Sequence, residues 1–147
     1  PPADDWEKLW RKNNESHPLV NKWKFLGIGI CVKNLDAASD YYSQLGFEAS
    51  SKKNINKNLR TISQEFLVGK ILFELIEADQ KSIFSDSLKQ RGEGVSEIIF
   101  LVSDLLKEIE QLESKGVKIL HISSDKKMAS IATGLKGNIL TRLIQKD

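Results

Sequence analysis

The chain has one cysteine and two histidines in 147 residues, and no apolar run near the roughly 20 residues that a bilayer-spanning helix needs. The lone thiol, Cys31, excludes an internal disulfide and fits a reducing compartment, so a cytoplasmic location is expected. No apolar stretch of the secretory kind opens the sequence, and no signal segment is expected. Charge of one sign is also scarce. Twenty-two Lys and Arg face twenty Asp and Glu, and a formal net charge of +2 gives no case for nucleic acid. Neither a nucleic-acid nor a membrane partner is expected. What is present is 40% apolar residues, enough to build one core, and 29% charged residues, a well-solvated surface. The length suits one domain or one domain of two fused modules.

Two stretches repeat one another seventy residues apart. Val32, Leu35, Gly46 and Phe47 fall in step with Val102, Leu105, Gly116 and Val117. Each stretch reads as strand, short amphipathic helix, glycine stop and second strand. Units too small to hide their own apolar faces should pair around a shared surface.

The spacing predicts a strand over 25–32, with Leu26, Ile28, Ile30 and Val32 on a helix-covered face. Phe25, Gly27, Gly29 and Cys31 take the other face, and the small residues there are expected to leave open space. Asp36 is read as the helix start, with Ala38, Tyr41, Tyr42 and Leu45 at helical spacing and Gly46 as the stop. Strands are then expected over 47–51, 60–68 and 70–76, with Gly69 in a tight turn and an exposed loop over 51–59. Ile83, Phe84 and Leu88 suggest a short connector helix. The second unit follows as strand 95–102, helix 105–114, strand 117–122 and a hairpin of 127–132 and 138–145 through Gly134 and Gly137. The expected organisation is an N-terminal helical extension over 1–23, a first βαβββ module over 24–78, a connector over 79–94 and a second module over 95–147. In the extension, Trp6, Leu9 and Trp10 form a helical stripe suited to packing on the domain or on a partner chain.

Three segments carry a family resemblance. "GIGICVKNLDAASDYYSQLGFE" resembles the opening strand and helix of the vicinal oxygen chelate superfamily, the glyoxalase and bleomycin-resistance fold, and "VGKILFELIEA" resembles the strand closing its first module. "LKQRGEGVSEIIFLVSDLLKEIEQLESKGVKIL" looks like the module junction of methylmalonyl-CoA epimerases. The resemblance covers about residues 24–146. It implies an α+β fold in which two βαβββ modules form a cupped, eight-stranded mixed sheet, commonly as a homodimer.

Metal-dependent members of that superfamily take two ligands from each module, a His early in its first strand and a Glu on its last. These positions fall on Gly27, Glu74, Glu97 and Arg142. Glycine has no side chain to offer, and a guanidinium stays protonated and cannot bind a metal. A divalent ion beside Arg142 would meet repulsion of about 4 kcal/mol per unit charge at an effective dielectric near 20. The expected alternative is an ion cluster in which the planar fork of Arg142 bridges Glu74 and Glu97.

No cofactor is therefore expected. The resemblance implies a glyoxalase-fold protein without the usual metal ligands that binds a small anionic or acyl-CoA-like ligand in the sheet cleft, with Gly27, Gly29 and Arg142 as ligand-binding residues. The alternative is an active methylmalonyl-CoA epimerase-like or lactoylglutathione lyase-like enzyme with a rearranged site, with Glu74 and Glu97 as catalytic carboxylates and Zn, Co, Ni or Mn as the metal. A third possibility is a structural or interaction protein assembled through the Trp6/Trp10 helix. His17 and His121 fall outside the ligand positions and are read as ordinary. Cys31, with no nearby histidine in the sequence, is a poor candidate nucleophile. Lys52, Lys53, Lys57 and Arg60 form a basic loop that a CoA phosphate could meet.

Overall fold

Asn34 and Asp104, seventy residues apart, cap two equivalent helices. Each side chain accepts a hydrogen bond from the backbone N–H three residues on, at 3.0 Å to Ala37 and 3.2 Å to Lys107. Each helix stops at a glycine in the left-handed region, Gly46 at φ 96° and Gly116 at φ 83°. The helix expected to start at Asp36 thus starts one residue earlier, because Asn34 supplies the cap and leaves Asp36 in the first turn.

The computed structural model describes residues 3–13, 23–50, 52–132 and 139–147. His17 and the Gly134–Gly137 turn lie outside them. The elements are α1 (Ala3–Asn13), β1 (Trp23–Cys31), α2 (Leu35–Gln44), β2 (Asn54–Asn56), β3 (Thr61–Val68), β4 (Ile71–Ala78), α3 (Ser85–Arg91), β5 (Gly94–Val102), α4 (Leu105–Ser114), β6 (Ile119–Ile122), β7 (Met128–Ala132) and β8 (Leu140–Gln145). The eight strands form one curled mixed sheet in the order β2-β3-β4-β1-β5-β8-β7-β6. Within each module the first strand runs parallel to the last, β1 with β4 and β5 with β8. The modules join where β1 and β5 pair antiparallel.

Strand alternation sorts the side chains onto two faces. On one face α2 packs Leu35 on Val32, Phe66 and Leu75, and α4 packs Leu105 and Ile109 on Val102, Ala129, Ile131 and Leu143. Cys31, Ile76 and Leu140 point the other way and pack with Leu59 and Phe84. Trp23 adds a long-range tie to α4, its indole N–H donating to Glu108 at 3.2 Å. Trp6 and Leu9 of α1 are exposed.

Three local expectations change. The strand expected over 47–51 is reduced to one bridge, Ala49 with Phe66. Phe47 instead stacks on Tyr42 and meets Phe73, which draws the chain into the helix-side core. The expected loop over 51–59 contains β2, which pairs with Thr61–Ser63 through a turn closed by Arg60 at φ 57°. Lastly, a register shift between Phe25 and Gly27 turns Phe25 away from the glycine face and onto Phe100, with ring centroids 6.1 Å apart.

Nor do the glycines of β1 leave open space. A Cβ built on Gly27 would lie 1.9 Å from the Leu72 carbonyl oxygen. The missing side chain lets the two strands approach. Gly27→Ala should therefore cost about 2–3 kcal/mol, the upper range of overpacking substitutions. Urea denaturation checks this: the midpoint should fall with the slope unchanged.

Candidate functional site

Four strands deliver charge to one place on the face opposite α2 and α4. In the register, Glu65 of β3 lies opposite Glu74 of β4, Glu74 pairs with Gly29 of β1, and Gly29 lies opposite Glu97 of β5. Gly29 is the gap in this row. A Cβ there would lie 2.3 Å from Glu97 Cγ and 2.4 Å from its Oε1. Its absence lets the Glu97 side chain lie across β1, and that is what Gly29 contributes to the site. Gly27, against Leu72, is one step removed from the charges.

Arg142 of β8 closes the group. Its Nη2 donates to Glu74 Oε2 at 2.6 Å and to Glu97 Oε1, and its Nε donates to Glu97 Oε2 at 3.1 Å. Nη1 faces the Met128 sulfur at 3.7 Å. The side chains of Glu74 and Arg142 are 7% and 8% exposed, and that of Glu97 is 0% exposed. The two glutamates come from different modules, so the guanidinium ties the halves together in the floor of the curled sheet.

The sequence expectation of an Arg142 bridge between Glu74 and Glu97 matches this arrangement. Glu65 was not anticipated. It is half-buried, and its carboxyl is pushed above the usual glutamate range by burial first and by the Glu74 charge second, with Arg142 pulling the other way. The available signal was its parity: Thr61, Ser63 and Glu65 make an alternating polar set on β3.

The four positions do not fit a divalent ion. Gly27 has no side chain, and Arg142 places a cation against the glutamate oxygens that an ion would use. Among the described residues, no group of three or more His, Cys, Asp or Glu is placed to hold a metal. Cys31 is equally unsuited to nucleophilic work. It is buried, its Sγ donates to Ser96 Oγ at 3.2 Å, and burial pushes its thiol up.

A cavity of about 510 Å³ lies beside the cluster. Asn54, Asn56 and Lys57 bound it on one side, and His121, Met128 and Ile144 on the other. Met128 therefore separates Arg142 from the cavity. Ile55, Asn56 and Lys57 also line a groove of about 580 Å³ that carries Lys33 and Arg60. Of the basic loop, Lys53 is paired with Asp36, and Arg60 with Asp79 at 2.7 Å.

The Glyoxalase/Bleomycin resistance protein/Dioxygenase superfamily model matches residues 27–133. Among solved structures, methylmalonyl-CoA epimerase from Mycobacterium tuberculosis is similar with a TM-score of 0.70 at 23% identity, over 84% of this chain and 87% of that one. A variant of Streptomyces coelicolor methylmalonyl-CoA epimerase in complex with 2-nitronate-propionyl-CoA gives 0.73 at 22%, over 86% and 99%. A hypothetical protein from Bacillus halodurans gives 0.71 at 18%, over 85% and 95%. No curated protein matches the chain.

Removing Arg142 leaves two buried carboxylates without their cation. Arg142→Leu should cost about 3–5 kcal/mol at pH 7. Protonation relieves the buried unpaired charges, so the cost should shrink as pH falls. Replacing Glu74, Glu97 and Arg142 together by Leu should recover most of the loss. Chemical denaturation of both variants at pH 7 and pH 4.5 tests the sign and the recovery.

Proposed function

The chain belongs to the glyoxalase/bleomycin resistance protein/dioxygenase superfamily, and from that premise we propose that it is a metal-independent member binding an acyl-CoA-like ligand in the cleft of its curled sheet. The observation that carries this reading is the buried Glu74–Arg142–Glu97 cluster in the floor of the sheet, with a cavity of ligand size beside it.

The charge distribution favours a long ligand with its anionic end outside. The floor holds three carboxylates against one guanidinium, which opposes a second anion there. Lys57 is common to the inner cavity and to the outer groove, where Lys33 and Arg60 also lie. Phosphates would sit along Lys33 and Lys57, Arg60 being paired with Asp79, and the acyl group would turn inward. This changes the role of Arg142. Four of its five N–H groups go to the glutamates and to Met128, so its main part is to shape the floor. Gly29 acts in the same indirect way.

Melting-temperature measurements with propionyl-CoA, coenzyme A, succinate and phosphate test this proposal. The expected result is an upward shift with propionyl-CoA, larger than with succinate and unchanged by EDTA. A shift that needs added Zn, Co, Ni or Mn, or no shift with any compound, would count against it.

A second reading has its own observation. Glu65 sits beside Glu74 with its carboxyl pushed up, is half-buried, and forms no salt bridge among the described residues. A carboxyl in that state can take and return a proton, as an epimerase-like reaction requires. On this reading the protein exchanges the C2 hydrogen of a methylmalonyl thioester with solvent deuterium. The rate should climb with pH through the Glu65 titration, as the base form appears, and Glu65→Gln should slow it at least tenfold. Absence of exchange, with and without divalent ions, removes catalysis and leaves binding.

A further inference from the structure

Two buried polar atoms on the floor side of the sheet have no partner among the described residues: His121 Nε2 and Ser130 Oγ. They belong to one row. His121 of β6 pairs with Ser130 of β7, and Ser130 pairs with Arg142 of β8. Ser130 is only 1% exposed, while His121 borders the 510 Å³ cavity together with Met128. Native folds seldom leave such atoms unsatisfied unless something else meets them.

The neighbours decide what that is. Next along the row lies Arg142, whose charge is already shared between Glu74 and Glu97. Glu65 adds a third carboxylate to the floor. A ligand carboxylate beside these acids would be repelled. A neutral carbonyl oxygen would not, and it accepts two hydrogen bonds. A serine hydroxyl and an imidazole with its proton on Nε2 are two donors on adjacent strands.

We propose that Ser130 and His121 form a carbonyl-binding pair that holds the thioester oxygen of an acyl-CoA-like ligand. This rests on the binding function proposed above, and it assigns residues that the family's metal-ligand positions do not include. Polarisation of the carbonyl would fall to these two donors, since Arg142 is occupied and screened by Met128.

Calorimetric titration of wild type, Ser130→Ala and His121→Phe with propionyl-CoA and with coenzyme A tests the pair. Wild type should bind the thioester about tenfold more tightly than the thiol, the worth of one to two hydrogen bonds. Each variant should shrink that preference by several-fold and leave coenzyme A binding unchanged. A preference that survives in both variants overturns the carbonyl assignment and leaves the binding function standing. Wild type that binds neither compound overturns the binding function, and the pair with it. The ligand-free protein gives an independent check. Ser130→Ala deletes a buried hydroxyl with no partner among the described residues, so its melting temperature should equal or exceed that of wild type. A drop of several degrees would show the hydroxyl serving the fold and would overturn the assignment.

Discussion

A single buried guanidinium ties acids from the two halves of this protein into one group. Arg142 reaches from the last strand to Glu97 in its own module and to Glu74 in the other, all three nearly closed to solvent. Charges taken this far from water are costly singly and tolerable only as a satisfied group. The geometry around them follows from that demand. Glu97 must cross β1 to be satisfied, so β1 has a glycine at residue 29. Two N–H donors of Arg142 remain on Nη1, and the polarisable sulfur of Met128 meets one of them.

The duplication explains where the cluster lies. Equivalent helices with equivalent caps and glycine stops cover one face of both modules, which leaves the other face of the curled sheet for the floor. The antiparallel β1–β5 seam then sets Glu74 and Glu97 two strands apart with Gly29 between them. Register shifts on either side of Gly27 and Gly29 let β1 accommodate both neighbours. The repeat is structural and not chemical, since one module contributes two acids and the other an acid and a base.

Much of the fold was legible because the repeat exposed it. Caps and glycine stops recur at a fixed interval, and the helix expected over 105–114 is Leu105–Ser114. Other features depend on partners that a linear reading does not display. Asn54–Asn56 reads as loop by composition and becomes a strand only because Thr61–Ser63 turns back against it. A glycine announces a missing side chain but not what fills its place; at Gly27 it is Leu72, and at Gly29 it is Glu97. The cluster itself was legible through family positions, which put Glu74, Glu97 and Arg142 together. Glu65, His121 and Ser130 were not, because their membership rests on cross-strand register.

An arginine in the floor of a cleft offers other chemistry than a metal ion would. A divalent ion offers vacant coordination positions and withdraws electrons from a bound carbonyl. A guanidinium carries half the charge, spread over a plane, and here its donors are committed to carboxylates. It cannot be exchanged or removed by a chelator, so it preserves the shape of the floor under all conditions that keep the acids ionised. It also leaves little electrophilic power for a ligand. Any activation of a carbonyl must then come from neutral donors nearby, and any proton transfer from a carboxyl outside the cluster. Ser130 with His121, and Glu65, are the groups proposed for those two roles on their burial and register. A site built this way is suited first to holding an acyl group in a fixed pose, and to slow proton exchange only if Glu65 reaches the acidic carbon.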